Sequence, residues 1–113
     1  MPPKRNPLGL NSLQLKTLTL LQELARLSDY SRPGEEPGTV AVRPPAPHGD
    51  HFHLGEAVVA ARDATGLRNP AVWAALQRKG LLRSMFPYGG VLTPLGLDYE
   101  TGMRDTILHK TGH

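Results

Sequence analysis

The sequence predicts an α+β fold in one domain, mostly helical with a small antiparallel sheet. Three observations carry that reading. The chain of 113 residues is enough for one hydrophobic core and not for two. Apolar residues recur at helical spacing in one long stretch near the start, and at alternating spacing in several short ones. Gly (12) and Pro (11) together make about a fifth of the chain, against roughly 12% on average. They fall between the periodic stretches, which predicts long loops rather than general disorder.

Residues 1–9, MPPKRNPLG, are Pro-rich and basic and read as a flexible arm ahead of a domain spanning 10–113. Asn11 or Ser12 can cap a helix that reaches about Leu27. At 100° per residue Leu13, Leu20, Leu21, Leu24, Ala25 and Leu27 share one broad arc, with Lys16, Thr19, Gln22, Glu23 and Arg26 opposite. Leu15 is the misfit, on the polar side. An apolar arc this wide belongs to a helix packed on other elements. Residues 29–50 hold five prolines and read as a loop insertion. Inside it TVAVR (39–43) alternates like an edge strand ending at Pro44, and HFHL (51–54) is expected to pair with it across PPAPHGD.

Gly55–Thr65, with its alanines and Val58, reads as a short helix capped by Gly66. Asn69 as N-cap, Pro70 at the first helical position and Gly80 as the stop define a second helix through about Lys79. Val72, Ala75 and Leu76 should face inward, Pro70, Ala74, Gln77 and Arg78 outward, and Trp73 falls on the boundary. LLRSMF (81–86) and GVLT (90–93), joined by PYGG, carry a hairpin signal. Thr93 and Pro94 open a last helix over 95–109.

The run AALQRKGLL, then a hairpin, then VLTPLGLDYE resembles the winged-helix domains of MarR-type and PadR-type bacterial regulators. In those, an "L…kGLi" helix end leads into a wing and an "LTpxG" segment opens the next helix. The resemblance spans about residues 10–108 and is firmest over 72–97, while the Pro-rich loop and extra strand at 29–50 depart from the pattern. It implies a winged helix-turn-helix fold with 69–79 as the recognition helix and 84–92 as the wing. The apolar residues of the 95–109 helix could close the domain or form a homodimer seam, as terminal helices often do in those families, and a dimer would suit a palindromic site.

Charge placement agrees with a polyanionic partner. The net charge is +3, yet residues 1–61 and 84–113 together carry none of the excess. Arg62, Arg68, Arg78, Lys79 and Arg83 stand against Asp63 alone and give that stretch +4. A recognition helix contacts base edges from its N-terminal half, which here offers Arg68, Asn69, Trp73, Ala74 and Gln77. Arg pairs with guanine, and Asn or Gln with adenine. Arg78, Lys79 and Arg83 would lie nearer the phosphates, adding affinity without sequence information. The plainer reading is a solvated basic helix face. Trp73 is expected to pack against the first helix or the wing; an exposed indole would instead touch a base or, with Pro70, a partner protein.

His51 and His53 are two apart on a strand candidate and could chelate one ion, with His48 or Asp50 nearby. HFHLGE echoes the His-x-His…Glu motif of cupins, but that jelly roll needs more strands than this chain has. Exposed histidines on an alternating strand, with Phe52 and Leu54 inward, are the expectation, so no metal and no cofactor is foreseen. His109 and His113 read as a frayed tail.

Other classes find no support. There is no cysteine, no Gly-x-Ser-x-Gly elbow and no phosphate-cradling glycine loop, so the chain does not read as an enzyme. Without cysteines, a membrane-length apolar run or a signal-peptide core at MPPKRNPLGL, a cytoplasmic protein is expected. Taken together, the residues predict a transcriptional regulator that binds double-stranded DNA. A winged-helix module for protein partners and a metal-responsive regulator are the alternatives.

Overall fold

Helix α1 (Ser12–Leu24) begins where the capping residues say it should. Asn11 Oδ1 accepts from the Gln14 amide and Gln14 Oε1 accepts from the Asn11 amide, a reciprocal capping box. The computed structural model describes residues 6–45 and 51–110. After α1 come strands β1 (Ser31–Pro33), β2 (Val40–Val42), β3 (His51–Leu54) and β4 (Ala57–Ala60), then two 3₁₀ turns (Ala61–Asp63 and Thr65–Arg68). Helix α2 (Pro70–Arg78), strands β5 (Leu82–Ser84) and β6 (Gly90–Leu92), helices α3 (Pro94–Asp98) and α4 (Arg104–Ile107), and strand β7 (His109–Lys110) complete the order. The strands form two antiparallel sheets, β1-β2-β6-β5 and β3-β4-β7. The fold is therefore α+β, with more sheet than the sequence suggests.

Several expectations are corrected. TVAVR is not an edge strand paired with HFHL: β2 is an inner strand between β1 and β6, with Val40 opposite Leu92 and Val42 opposite Gly90. The 29–50 stretch thus contributes two strands, β1 among them. HFHL pairs instead with Ala57–Ala60 across the two-residue turn Gly55-Glu56. Gly55 has φ +62, and no residue other than glycine has a positive φ among those described. That is the type II′ hairpin pattern, with glycine at the first central position. The small residues read as a helix are therefore a strand, because Gly55 turns the chain back and Val58 and Val59 suit a pleated surface. Leu54 is buried, while the side chain of Phe52 lies outside the described residues.

The expected 95–109 helix does not form. Tyr99 leaves α3 in an extended conformation, Gly102 turns at φ +69, and only Arg104–Ile107 is helical before His109 joins β7. This segment covers the side of α1 predicted to face water. Thr19 is fully buried there, its hydroxyl 2.6 Å from that of Thr101. Gln22 Nε2 donates to the carbonyls of Gly96 and Tyr99, both at 2.8 Å. Glu23 pairs with Arg104. The long dimer helix is thus replaced by a strap around α1, and a homodimer through it has no such element to use. Gln22→Ala would strand two part-buried carbonyls, so it is expected to cost about 1–3 kcal/mol in urea unfolding.

The described part of the expected arm, residues 6–9, is tied to the domain. Residues 1–5 lie outside the described residues, but Asn6 bonds the backbone of Leu10 through both amide atoms, and the Tyr99 hydroxyl meets Asn6 Oδ1 and the Leu8 amide. The core gathers Leu18, Leu20, Leu21 and Leu24 of α1 with Trp73, Leu76, Leu81, Leu82, Leu92, Leu54, Val59 and Ile107, all within 2% exposure. Both sheets and α2 therefore close on α1. Among the described residues, no helix is long and apolar enough to cross a membrane.

Candidate nucleic-acid interface

Helix α2 is set by local chemistry. Asn69 Oδ1 accepts from the Ala71 amide, Pro70 occupies the first turn, and Gly80 follows the end at φ +78. Val72, Ala75 and Leu76 face inward as predicted. Pro70, Ala71, Ala74, Gln77 and Arg78 remain exposed along the opposite face, which is about 13 Å long. Arg68 is exposed just before its N-terminus, and Arg78 and Lys79 are exposed at its C-terminus, where cations also suit the helix dipole.

The residues proposed to read bases fare unevenly. Arg68 is free to reach outward. Asn69 has its oxygen committed to the helix cap. Trp73 is only 1% exposed and donates from Nε1 to the Leu67 carbonyl at 3.2 Å, with Phe86 edge-on at 5.7 Å. The indole is a core anchor, and it touches neither a base nor a partner; the Trp73/Pro70 face loses its aromatic. Gln77 Oε1 accepts from the Ser84 amide at 2.7 Å, tying α2 to the outer strand β5 and leaving its Nε2 as the outward donor. The helix ahead of α2 is absent, its place taken by the two 3₁₀ turns.

The cations that the sequence assigned to phosphates are better placed. Arg78, Lys79 and Arg83 are all exposed, and among the described residues no carboxylate pairs with them, with Arg62 or with Arg68. Asp63, the one acid in their stretch, is held by Lys16 of α1 at 3.0 Å.

Strand pairing adds two arginines that the sequence did not bring forward. Arg32 lies opposite Ala41, Ala41 opposite Val91, and Val91 opposite Arg83. Directly paired residues share a face, so this rung crosses all four strands with an arginine at each edge. The strand spacing puts the two edge strands about 14 Å apart. The neighbouring rungs carry Val42, Leu82 and Leu92 into the core, so the arginine rung is on the outer face. Arg43 follows on the same side of β2 by alternation. An open groove of about 430 Å³ runs beside it, lined in part by Tyr30, Arg32, Arg43, Met85 and Tyr88. Tyr88 and Met85 are 83% and 50% exposed, an aromatic and a polarizable side chain next to guanidinium groups.

Arg32 and Arg43 sit in the half of the chain whose charges cancel, and only the β2–β6 pairing joins them to Arg83. The alternation in TVAVR was a signal for a strand, but not for its partner. Comparison with family models, with curated proteins and with solved structures found no match.

Proposed function

We propose that the protein is a DNA-binding winged-helix module that serves as a transcriptional regulator, with α2 laid toward the major groove and the β5–β6 hairpin against the backbone. The observation that carries this reading is the set of exposed, uncompensated cations at the ends of α2 and on β5, beside a helix stripe of small residues that permits close approach. A capped helix followed directly by a hairpin supports the winged-helix form. Base contacts are sparse: Arg68, just ahead of α2, and the Gln77 amide nitrogen, in its last turn, are the outward donors beside the small residues of that face. Affinity is therefore backbone-dominated, with a narrow margin between preferred and mixed sequence.

Titrating a labelled mixed-sequence duplex by anisotropy at several salt concentrations tests this. Each phosphate contact contributes about 0.9 to the slope of log K against log salt, so the Arg78→Ala, Arg83→Ala double variant should flatten it by about 1.8. An unchanged slope and affinity would remove this surface as the contact. Adding Arg32→Ala measures whether the outer sheet face takes part: a further loss of slope extends the interface across the arginine rung.

A further inference from the structure

We infer that the outer face of the β3-β4-β7 sheet binds a divalent late first-row metal ion through Nε2 of His51 and Nε2 of His53. The two residues alternate with the buried Leu54 on β3, and so project to the same side. Their Nε2 atoms lie 3.0 Å apart, with ring centroids 4.8 Å apart and ring planes at 80°. At that separation one ring's N–H can donate to the other's lone pair, so the two ε nitrogens face each other at a spacing that one ion beside the line between them can bridge. An ion replaces the shared proton. The donor ring carries its hydrogen on Nδ1 instead, and a neutral pair takes up the metal with no net proton release.

With metal–nitrogen bonds of about 2.0–2.1 Å, a 3.0 Å bite subtends roughly 91–97° at the metal, and a shift of a few tenths of an ångström opens it to a tetrahedral angle. The general affinity order places copper(II) ahead of nickel(II) and zinc at nitrogen ligands. Among the described residues no three His, Cys, Asp or Glu side chains converge, so His51 and His53 are the ligands that these residues offer. His109 shares a rung with Val58 and His53 and so emerges on the same face, two strands away, about 10 Å from His53 along the sheet.

The test uses the full chain, titrated with copper(II), nickel(II) and zinc salts in a non-chelating buffer and followed by calorimetry and electron paramagnetic resonance. Expected is one saturable copper equivalent with nitrogen hyperfine structure that is reduced in each single variant, and affinity falling from copper to nickel to zinc. His51→Ala and His53→Ala should each weaken copper binding by about 10²-fold, the advantage of a second tethered ligand, in variants checked to be folded by circular dichroism. Parent-like copper binding in both single variants would overturn the site, as would zinc binding more tightly than copper. Salt-dependent DNA binding is measured separately, so failure here leaves that reading standing, and the reverse holds.

Discussion

Trp73→Ala is expected to be among the most destabilising single substitutions, at about 3–5 kcal/mol. The indole is 1% exposed, packs edge-on to Phe86, and is the hydrogen-bond donor to the Leu67 carbonyl. Truncation opens a cavity between α2, the hairpin and the 3₁₀ turn, and leaves that carbonyl without its donor. For a chain of 113 residues, total stability on the scale of natural domains is roughly 6–17 kcal/mol. The loss is thus a large fraction of the whole, and should appear as a steep drop in the urea midpoint. Trp73→Phe keeps most of the packing but not the N–H, and should fall between, near 1–3 kcal/mol. Emission from this single tryptophan should be blue-shifted and little affected by quenchers. Solvent-like emission would contradict the burial. One practical corollary is that a silent fluorescence titration with DNA says nothing against binding.

Gly96→Ala gives the second large effect, and its sign is informative. In an open helix interior, alanine stabilises relative to glycine by about 0.8–1.0 kcal/mol. At Gly96 the added Cβ would stand 2.0 Å from the Leu81 carbonyl oxygen and 2.9 Å from its carbon. That backbone is held on both sides, since the Leu81 amide donates to Leu76 and its carbonyl accepts from Thr93. Helix α3 must therefore lift away, and the Gln22 bond to the Gly96 carbonyl is disturbed with it. A net loss of about 3 kcal/mol is expected, at the upper end for overpacking. Gly66→Ala is the useful contrast: its Cβ meets chiefly the Thr17 hydroxyl oxygen, at 1.8 Å. Thr17 is buried and its hydroxyl donates to the Leu13 carbonyl, so relief there costs that side-chain bond, whereas at Gly96 the hydrogen-bonded backbone itself must move. If Gly96→Ala unfolds at the same or higher urea concentration than the parent, the close packing of α3 on Leu81 is wrong.

These two sites mark where the sequence was informative and where it was not. Caps and stops are local chemistry, so Asn11, Asn69, Pro70 and Gly80 announced α1 and α2 directly. The hairpin around PYGG was equally local. The Gly55–Ala60 stretch is ambiguous in sequence because alanine and glycine at close spacing suit a packed helix as well as a strand, and the sign of φ at Gly55 decides between them. The 95–109 apolar residues have a helical period, yet Thr101 and Tyr99 find hydroxyl and amide partners on distant segments, which holds the chain extended. Of the candidate site, Arg78, Lys79 and Arg83 were visible as a charge run. The pairing that adds Arg32 and Arg43 links segments far apart in the chain, and no local pattern encodes it. Trp73 could be placed only by its surroundings.

That same pairing has a consequence for how the chain is made. Val40 and Leu92 face each other across β2 and β6 but stand 52 positions apart. At a synthesis rate of about 5–20 residues per second, β2 waits roughly 3–10 s for its second neighbour. During that interval Val-Ala-Val presents one bare edge, the kind of template that recruits other nascent chains. The residues next to it are suited to that interval: Arg32 and Arg43 supply charge on either side, and Pro44 and Pro45 end the strand where amides would otherwise continue it. The charge and the prolines beside β2 thus bear on the unfinished chain as well as on the finished one.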